Sequence, residues 1–179
     1  MIVLAGASAS GKTEVAKMLA AKYGIIKAIT TTTRGMRVGE QNGRDYFFVS
    51  KERFLEMIKE GRFVEHTTYN DNFYGSTKDQ IAPNKCVVVD PAGLKAYISL
   101  NHPDIITFFL DSKEETRKHR MHLRGDDEEK IKNRLIHDRE AFKAENIPAV
   151  NYHIDSETTT VEEVADMIYK IYQEFLSNK

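Results

Sequence analysis

Short apolar runs recur along the chain, and most of them end where a helical period begins. Residues 2–5 read IVLA, too short for anything but a buried strand, and Val15, Met18, Leu19 and Tyr23 follow at helical spacing. CVVV at 86–89 leads into a helix at 91–100, and IITFFL at 105–110 leads into a charged helix from Lys113. A second helical run spans about 127–145, and strand 152–154 and helix 160–177 close the chain. Strands that each hand over to a helix predict a parallel sheet covered on both faces. The stretch 31–84 is different. A polar, glycine-punctuated loop at 31–44 follows a short strand near 25–30. Strand 46–49, helix 51–60 and strand 63–69 come next. Mixed polarity between turns predicts an inserted antiparallel piece. There is no internal repeat and no low-complexity linker.

The junction of the first strand and helix carries Gly6-Ala7-Ser8-Ala9-Ser10-Gly11-Lys12-Thr13. The spacing Gly-x4-Gly-Lys-Thr between strand and helix is the setting of a phosphate-binding loop. Gly6 and Gly11 allow positive φ, so successive N–H groups can turn around an anion. The helix N-terminus points unpaired N–H groups at the same spot. Lys12 adds a mobile charge, and the Thr13 hydroxyl can ligate Mg2+. A nucleoside triphosphate is the expected ligand.

Composition narrows the field. The 179 residues amount to one domain, and 41% hydrophobic content can build a substantial core. A net charge of -1 gives no electrostatic reason to expect nucleic acid or an anionic membrane as partner. Cys86, the single cysteine, lies in an apolar run and is expected as a buried thiol. The N-terminal apolar stretch breaks at Gly6, so neither a signal peptide nor a membrane span is expected. A cytoplasmic location fits these features.

Within the insert, Thr-Thr-Arg34, Arg37, Gly39-Glu40, Gly43-x-Asp45-Tyr46-x-Phe48 and Tyr74-Gly75-Ser76 follow in order. On these motifs the chain resembles the guanylate kinase family over nearly its whole length. The resemblance implies an α/β fold: a P-loop parallel sheet flanked by helices, with an inserted mixed α+β subdomain for the nucleoside monophosphate and a helical lid. It divides the single domain into a core of 1–30 and 85–179, a GMP-binding insert of about 31–84 and a lid of about 120–145. It implies transfer of the ATP γ-phosphate to GMP, with Mg2+ entering as Mg-ATP. Oligomeric state is left open.

The residue chemistry can be read beside that resemblance. Arg34 and Arg37 can fork onto one phosphate, or they are solvated surface arginines. Tyr46 and Tyr74 can present hydroxyls to the same phosphate, or they are packed aromatics. By resemblance these four form the acceptor-phosphate clamp. Guanine offers N1–H and N2–H2 as adjacent donors and O6 as an acceptor, which suits a carboxylate beside a hydroxyl. Glu65 and Ser76 match the family's guanine readers, and Thr30 takes the place of another hydroxyl near the base. Asp90 has three readings: a Mg2+ carboxylate, a contact to the acceptor nucleotide, or the N-cap of the helix beginning at Pro91.

Arg117, Arg120 and Arg124 fall at i, i+3 and i+7, a like-charged helix face that makes sense when an anion arrives. The resemblance assigns Arg120, Arg124 and Arg134, with Lys12, to the transferring phosphoryl group. Pairing with acids such as Glu128 and Asp138 is the alternative. The chain departs from the family pattern at Ala7 and Ala9, where proline and glycine are usual. Val88 replaces an acid, the Arg124–Arg134 gap is one residue short, and Asp155 stands in place of asparagine. Two other readings compete: a P-loop kinase for a different small anionic acceptor, and a non-catalytic binding module.

Overall fold

Alternate residues of the first strand enter two different cores in the computed structural model, which describes residues 1–178. Ile2 and Leu4 join Val15, Leu19, Phe108 and Ile168 on one side. Val3 and Ala5 join Val87, Leu94, Tyr97 and Phe109 on the other. That two-sided burial is what a parallel sheet between helical layers requires.

The chain begins with β1 (Ile2–Ala5), α1 (Lys12–Tyr23) and β2 (Ile26–Lys27). A second group follows: β3 (Thr31–Thr32), β4 (Phe47–Phe48), α2 (Lys51–Lys59), β5 (Phe63–Tyr69) and β6 (Asn72–Thr77). The rest alternates: β7 (Lys85–Val88), α3 (Pro91–Ser99), β8 (Ile106–Asp111), α4 (Glu114–Leu123), α5 (Glu128–Ala141), β9 (Tyr152–Asp155) and α6 (Val161–Ser177). The main sheet has the order β2-β7-β1-β8-β9, and its pairs are parallel. A second, four-stranded sheet has the order β4-β3-β6-β5.

Three details differ from the sequence expectation. The strand expected at 25–30 is reduced to Ile26–Lys27, because the Ile29 N–H is taken by the Gln80 side chain at 3.1 Å. The second sheet is mixed rather than antiparallel. β3 and β4 run parallel because the long polar loop between them carries the chain back to its starting end, while β6 opposes β3 and β5. Polar β6, with no apolar alternation to mark it, pairs through a tight hairpin whose turn residues Asn70 and Asp71 have φ 47° and 60°.

The second sheet carries its own small core of Phe54, Met57 and Phe63, with Phe54 and Phe63 stacked at 4.4 Å between ring centroids. Met121, Ile131 and Leu135 form another between α4 and α5, and Ala9 of the phosphate loop packs against it. Cys86 is buried, and burial pushes its thiol up to about 11. Among the described residues no helix is long and apolar enough to cross a membrane.

Candidate nucleotide site

The loop between β1 and α1 is shaped by positions that reject side chains. A Cβ on Gly6 (φ 145°) would lie 2.7 Å from the Leu110 carbonyl oxygen and 2.8 Å from Ser10 Oγ. Gly11 (φ 97°) precedes α1 without any side-chain cap, leaving the helix's first N–H groups free for a ligand. Ala9 takes the left-handed φ of 60°, a conformation that glycine adopts without strain; it packs against the cluster of Met121, Ile131 and Leu135.

Lys12 folds back into this loop. Its Nζ donates to the Gly6 carbonyl at 2.6 Å and to the Ala7 carbonyl at 2.7 Å. Burial lowers its pKa to about 8, against the opposing pull of Asp138. Thr13 sits one residue on, in the first turn of α1.

The expected arginine face divides. Arg117 is enclosed: its Nη1 donates to Asp138 at 2.7 Å, and Asp138 also accepts from the Ser8 backbone N–H at 2.8 Å. Arg117 thus belongs to a buried pair that fixes the phosphate loop, and it does not share a solvent-facing row with Arg120 and Arg124. Arg120 donates to the carbonyls of Ala9 and Ser156, which pins it beside the loop. Arg124 and Arg134 converge on one carboxylate, Asp126 Oδ2, at 2.8 and 3.1 Å. Their side chains are 51% and 53% exposed, so an incoming anion can reach both.

The second sheet gathers most of the acceptor candidates. Arg34 lies over the rings of Tyr46 and Phe48, at 5.4 and 5.7 Å from their centroids. The rings of Tyr46 and Tyr74 meet edge-on at 6.2 Å. Glu40 bridges the two arginine positions, accepting from Arg34 Nη2 and from the Arg37 backbone N–H, each at 2.7 Å. These donors hold the Glu40 carboxyl below its ordinary range. The exposed Arg37 guanidinium makes no hydrogen bond among the described residues.

Glu65 and Ser76 face each other across β5 and β6, and Ser76 Oγ donates to Glu65 Oε1 at 2.6 Å. A β-bulge between Phe63 and Glu65 sets this register. Gly75 is required beside it, since a Cβ there would sit 2.6 Å from the Phe63 ring. Thr31 opposite Gly75 brings Thr30 alongside Ser76.

Two cavities flank the phosphate loop, and Lys12 lines both. One of about 320 Å³ is bounded by Ala9 to Val15, Arg120, Arg124 and Thr159. The other, of about 590 Å³, is bounded by Gly6, Ser8, Val88, Asp90 and His137. Asp90 caps α3 by accepting from the Gly93 N–H at 2.8 Å, so its helix-cap reading is realised. The insert residues Arg34, Glu65 and Ser76 do not line either cavity. Asp155 spends its carboxylate on its own loop, accepting from Glu157 N and Thr158 Oγ1. Glu40, Asp126 and Tyr97 were not singled out from sequence; of these, only Glu40 had a signal, its place in the Gly-Glu step after Arg37.

A parallel sheet with a glycine loop closing on a helix N-terminus defines a P-loop nucleotide-binding protein. The guanylate kinase family model matches residues 1–170. The chain is 33% identical over 181 residues to a guanylate kinase of Anaplasma phagocytophilum, covering 96% of this chain and 84% of that one. It is 31% identical over 180 residues to a guanylate kinase of Wolbachia pipientis, covering 95% and 89%. A crystal structure of guanylate kinase from Anaplasma phagocytophilum superposes with TM-score 0.59 and 26% identity, covering 97% of this chain and 84% of that one. This chain belongs to the guanylate kinase family.

Proposed function

We propose that this protein transfers the γ-phosphate of ATP to GMP, giving ADP and GDP. The observation that carries the reading is the position of Lys12, which borders both cavities at the end of the phosphate loop. A charge in that place can follow the phosphoryl group from donor to acceptor.

The backbone of Gly6 to Thr13 and the uncapped start of α1 hold the triphosphate. Lys12 leaves the Gly6 and Ala7 carbonyls for the phosphates, which are stronger acceptors. Arg120, Arg124 and Arg134 surround the transferring group, and the lid of about 120–145 closes to exclude water. In-line phosphoryl transfer needs positioning and charge neutralisation, and the acceptor is already an anion, so no general base is required.

The insert of about 31–84 binds GMP. Arg34, Arg37, Tyr46 and Tyr74 hold its phosphate, Glu65 accepts from N1–H and N2–H2, and Ser76 and Thr30 serve O6 and its surroundings. Asp90, on the wall of the larger cavity at the start of α3, is available to the acceptor nucleotide. Among the described residues no cluster of three or more His, Cys, Asp or Glu can hold a metal alone. That fits Mg2+, which keeps water ligands and binds through substrate phosphates, with the Thr13 hydroxyl as the protein's contribution. When bound, Mg2+ neutralises charge on the β- and γ-phosphates.

Following the γ-labelled phosphate of ATP in the presence of GMP tests the reading. Label appearing in GDP is the expected outcome. Label released only as inorganic phosphate would refute it.

A further inference from the structure

Tyr97, on α3, is 1% exposed, and its ring lies in the apolar core with Val3, Val87, Leu94 and Phe109. Its hydroxyl is buried with no partner in hydrogen-bonding geometry. Phenylalanine would fill that core without leaving a polar group unpaired, so packing gives no reason for the oxygen. The hydroxyl's surroundings do give one: the Ser76 side chain is within its reach, and the charge of Glu65, which Ser76 bonds, acts on it. Burial pushes its pKa up to about 12, so it keeps its proton and remains a donor.

Without nucleotide, Ser76 gives its single proton to Glu65. Guanine needs that proton redirected, while the Glu65 carboxylate has lone pairs to spare. Glu65 must accept from N1–H and N2–H2, and Ser76 must turn its proton to O6. A serine hydroxyl has one proton and two lone pairs, so once turned it still has acceptor capacity facing the core. We propose that the Tyr97 hydroxyl donates to Ser76 Oγ in the GMP complex and fixes the rotor so that Ser76 donates to guanine O6. The chain Tyr97 to Ser76 to O6 then polarises cooperatively. Tyr97 is a positioning residue: it acts on the base only through Ser76. This rests on the reading of Glu65 and Ser76 as the guanine-recognising pair.

The test is a double-mutant cycle of Tyr97→Phe and Ser76→Ala, following the KM for GMP, the KM for ATP, kcat and thermal midpoint. Tyr97→Phe should raise the KM for GMP about five- to tenfold, the worth of one neutral hydrogen bond, with kcat and the KM for ATP unchanged. The thermal midpoint should not fall, because an unpaired buried hydroxyl is removed. In the Ser76→Ala background the same change should have almost no further effect. If Ser76→Ala weakens GMP but Tyr97→Phe does not, the role of Tyr97 is refuted while the guanine-reading pair stands. Independent, additive effects, or a parallel rise in the KM for ATP, would make Tyr97 structural and refute it likewise. A Ser76→Ala variant with unchanged GMP affinity would overturn both readings.

Discussion

Arg117 and Asp138 form an ion pair at 2.7 Å whose side chains are 9% and 3% exposed. The same carboxylate holds the Ser8 N–H and hydroxyl, so one acid ties α4 and α5 to the phosphate loop. Removing one member of a buried pair strands the other charge in a low dielectric. Asp138→Ala should therefore cost about 3–5 kcal/mol in urea unfolding. A loss below about 1 kcal/mol would mean that solvent reaches the pair.

Arg34, Arg124 and Arg134 are held instead by partly exposed acids that a phosphate can displace. Arg124 and Arg134 share Asp126. Arg134→Ala should lower kcat about 10²- to 10³-fold through loss of transition-state charge stabilisation. Its thermal midpoint should hardly move, since an exposed ion pair contributes little. Equal damage to stability and turnover would assign Arg134 a structural role.

Lys12 gives a pH signature. Its pKa in the free protein is lowered by burial to about 8, and anionic phosphates favour the charged form. Below that pH the amine is already protonated, and ATP affinity should be flat. Above it each binding event takes up a proton, so affinity should fall, approaching about tenfold per pH unit. Calorimetry between about pH 7 and pH 9.5 reads this directly, and Lys12→Arg, always charged, should abolish the slope. A wild-type protein with no slope would contradict it.

Glu65→Gln exchanges a pure acceptor for an amide that turns donors towards guanine's donors. The KM for GMP should rise about 10- to 100-fold, the range for hydrogen bonds to a charged group, with the KM for ATP unchanged. Equal loss for both nucleotides would make Glu65 a fold residue.

How much of this was legible in the sequence depends on range. The phosphate loop and the strands of the main sheet are local patterns, and Gly6, Gly11 and Lys12 occupy the places their spacing implies. β6 was missed because NFYGST carries no alternation; the Asn70-Asp71 hairpin turn was its only local mark. For Arg117 the alternative reading, pairing with Asp138, is the realised one; the partner lies 21 residues away, and helical periodicity reports a shared face but not what covers it. The Ser76–Glu65 contact depends on a bulge that sets the strand register, which residue order alone does not display. Asp126, which holds Arg124 and Arg134, reads in sequence as an ordinary surface acid, and Glu40 was marked only by its place in the Gly-Glu step.

The central claim is that Glu65 and Ser76 select GMP, by its guanine, as the acceptor of the ATP γ-phosphoryl group that Lys12 stabilises. ADP release measured with GMP, AMP, UMP and CMP as acceptors at matched ATP tests it most directly. The account predicts a kcat/KM for GMP higher than for the other three by about 10⁴ or more, because each of them leaves buried polar groups unpaired. Comparable rates with AMP, or none with GMP, would contradict it.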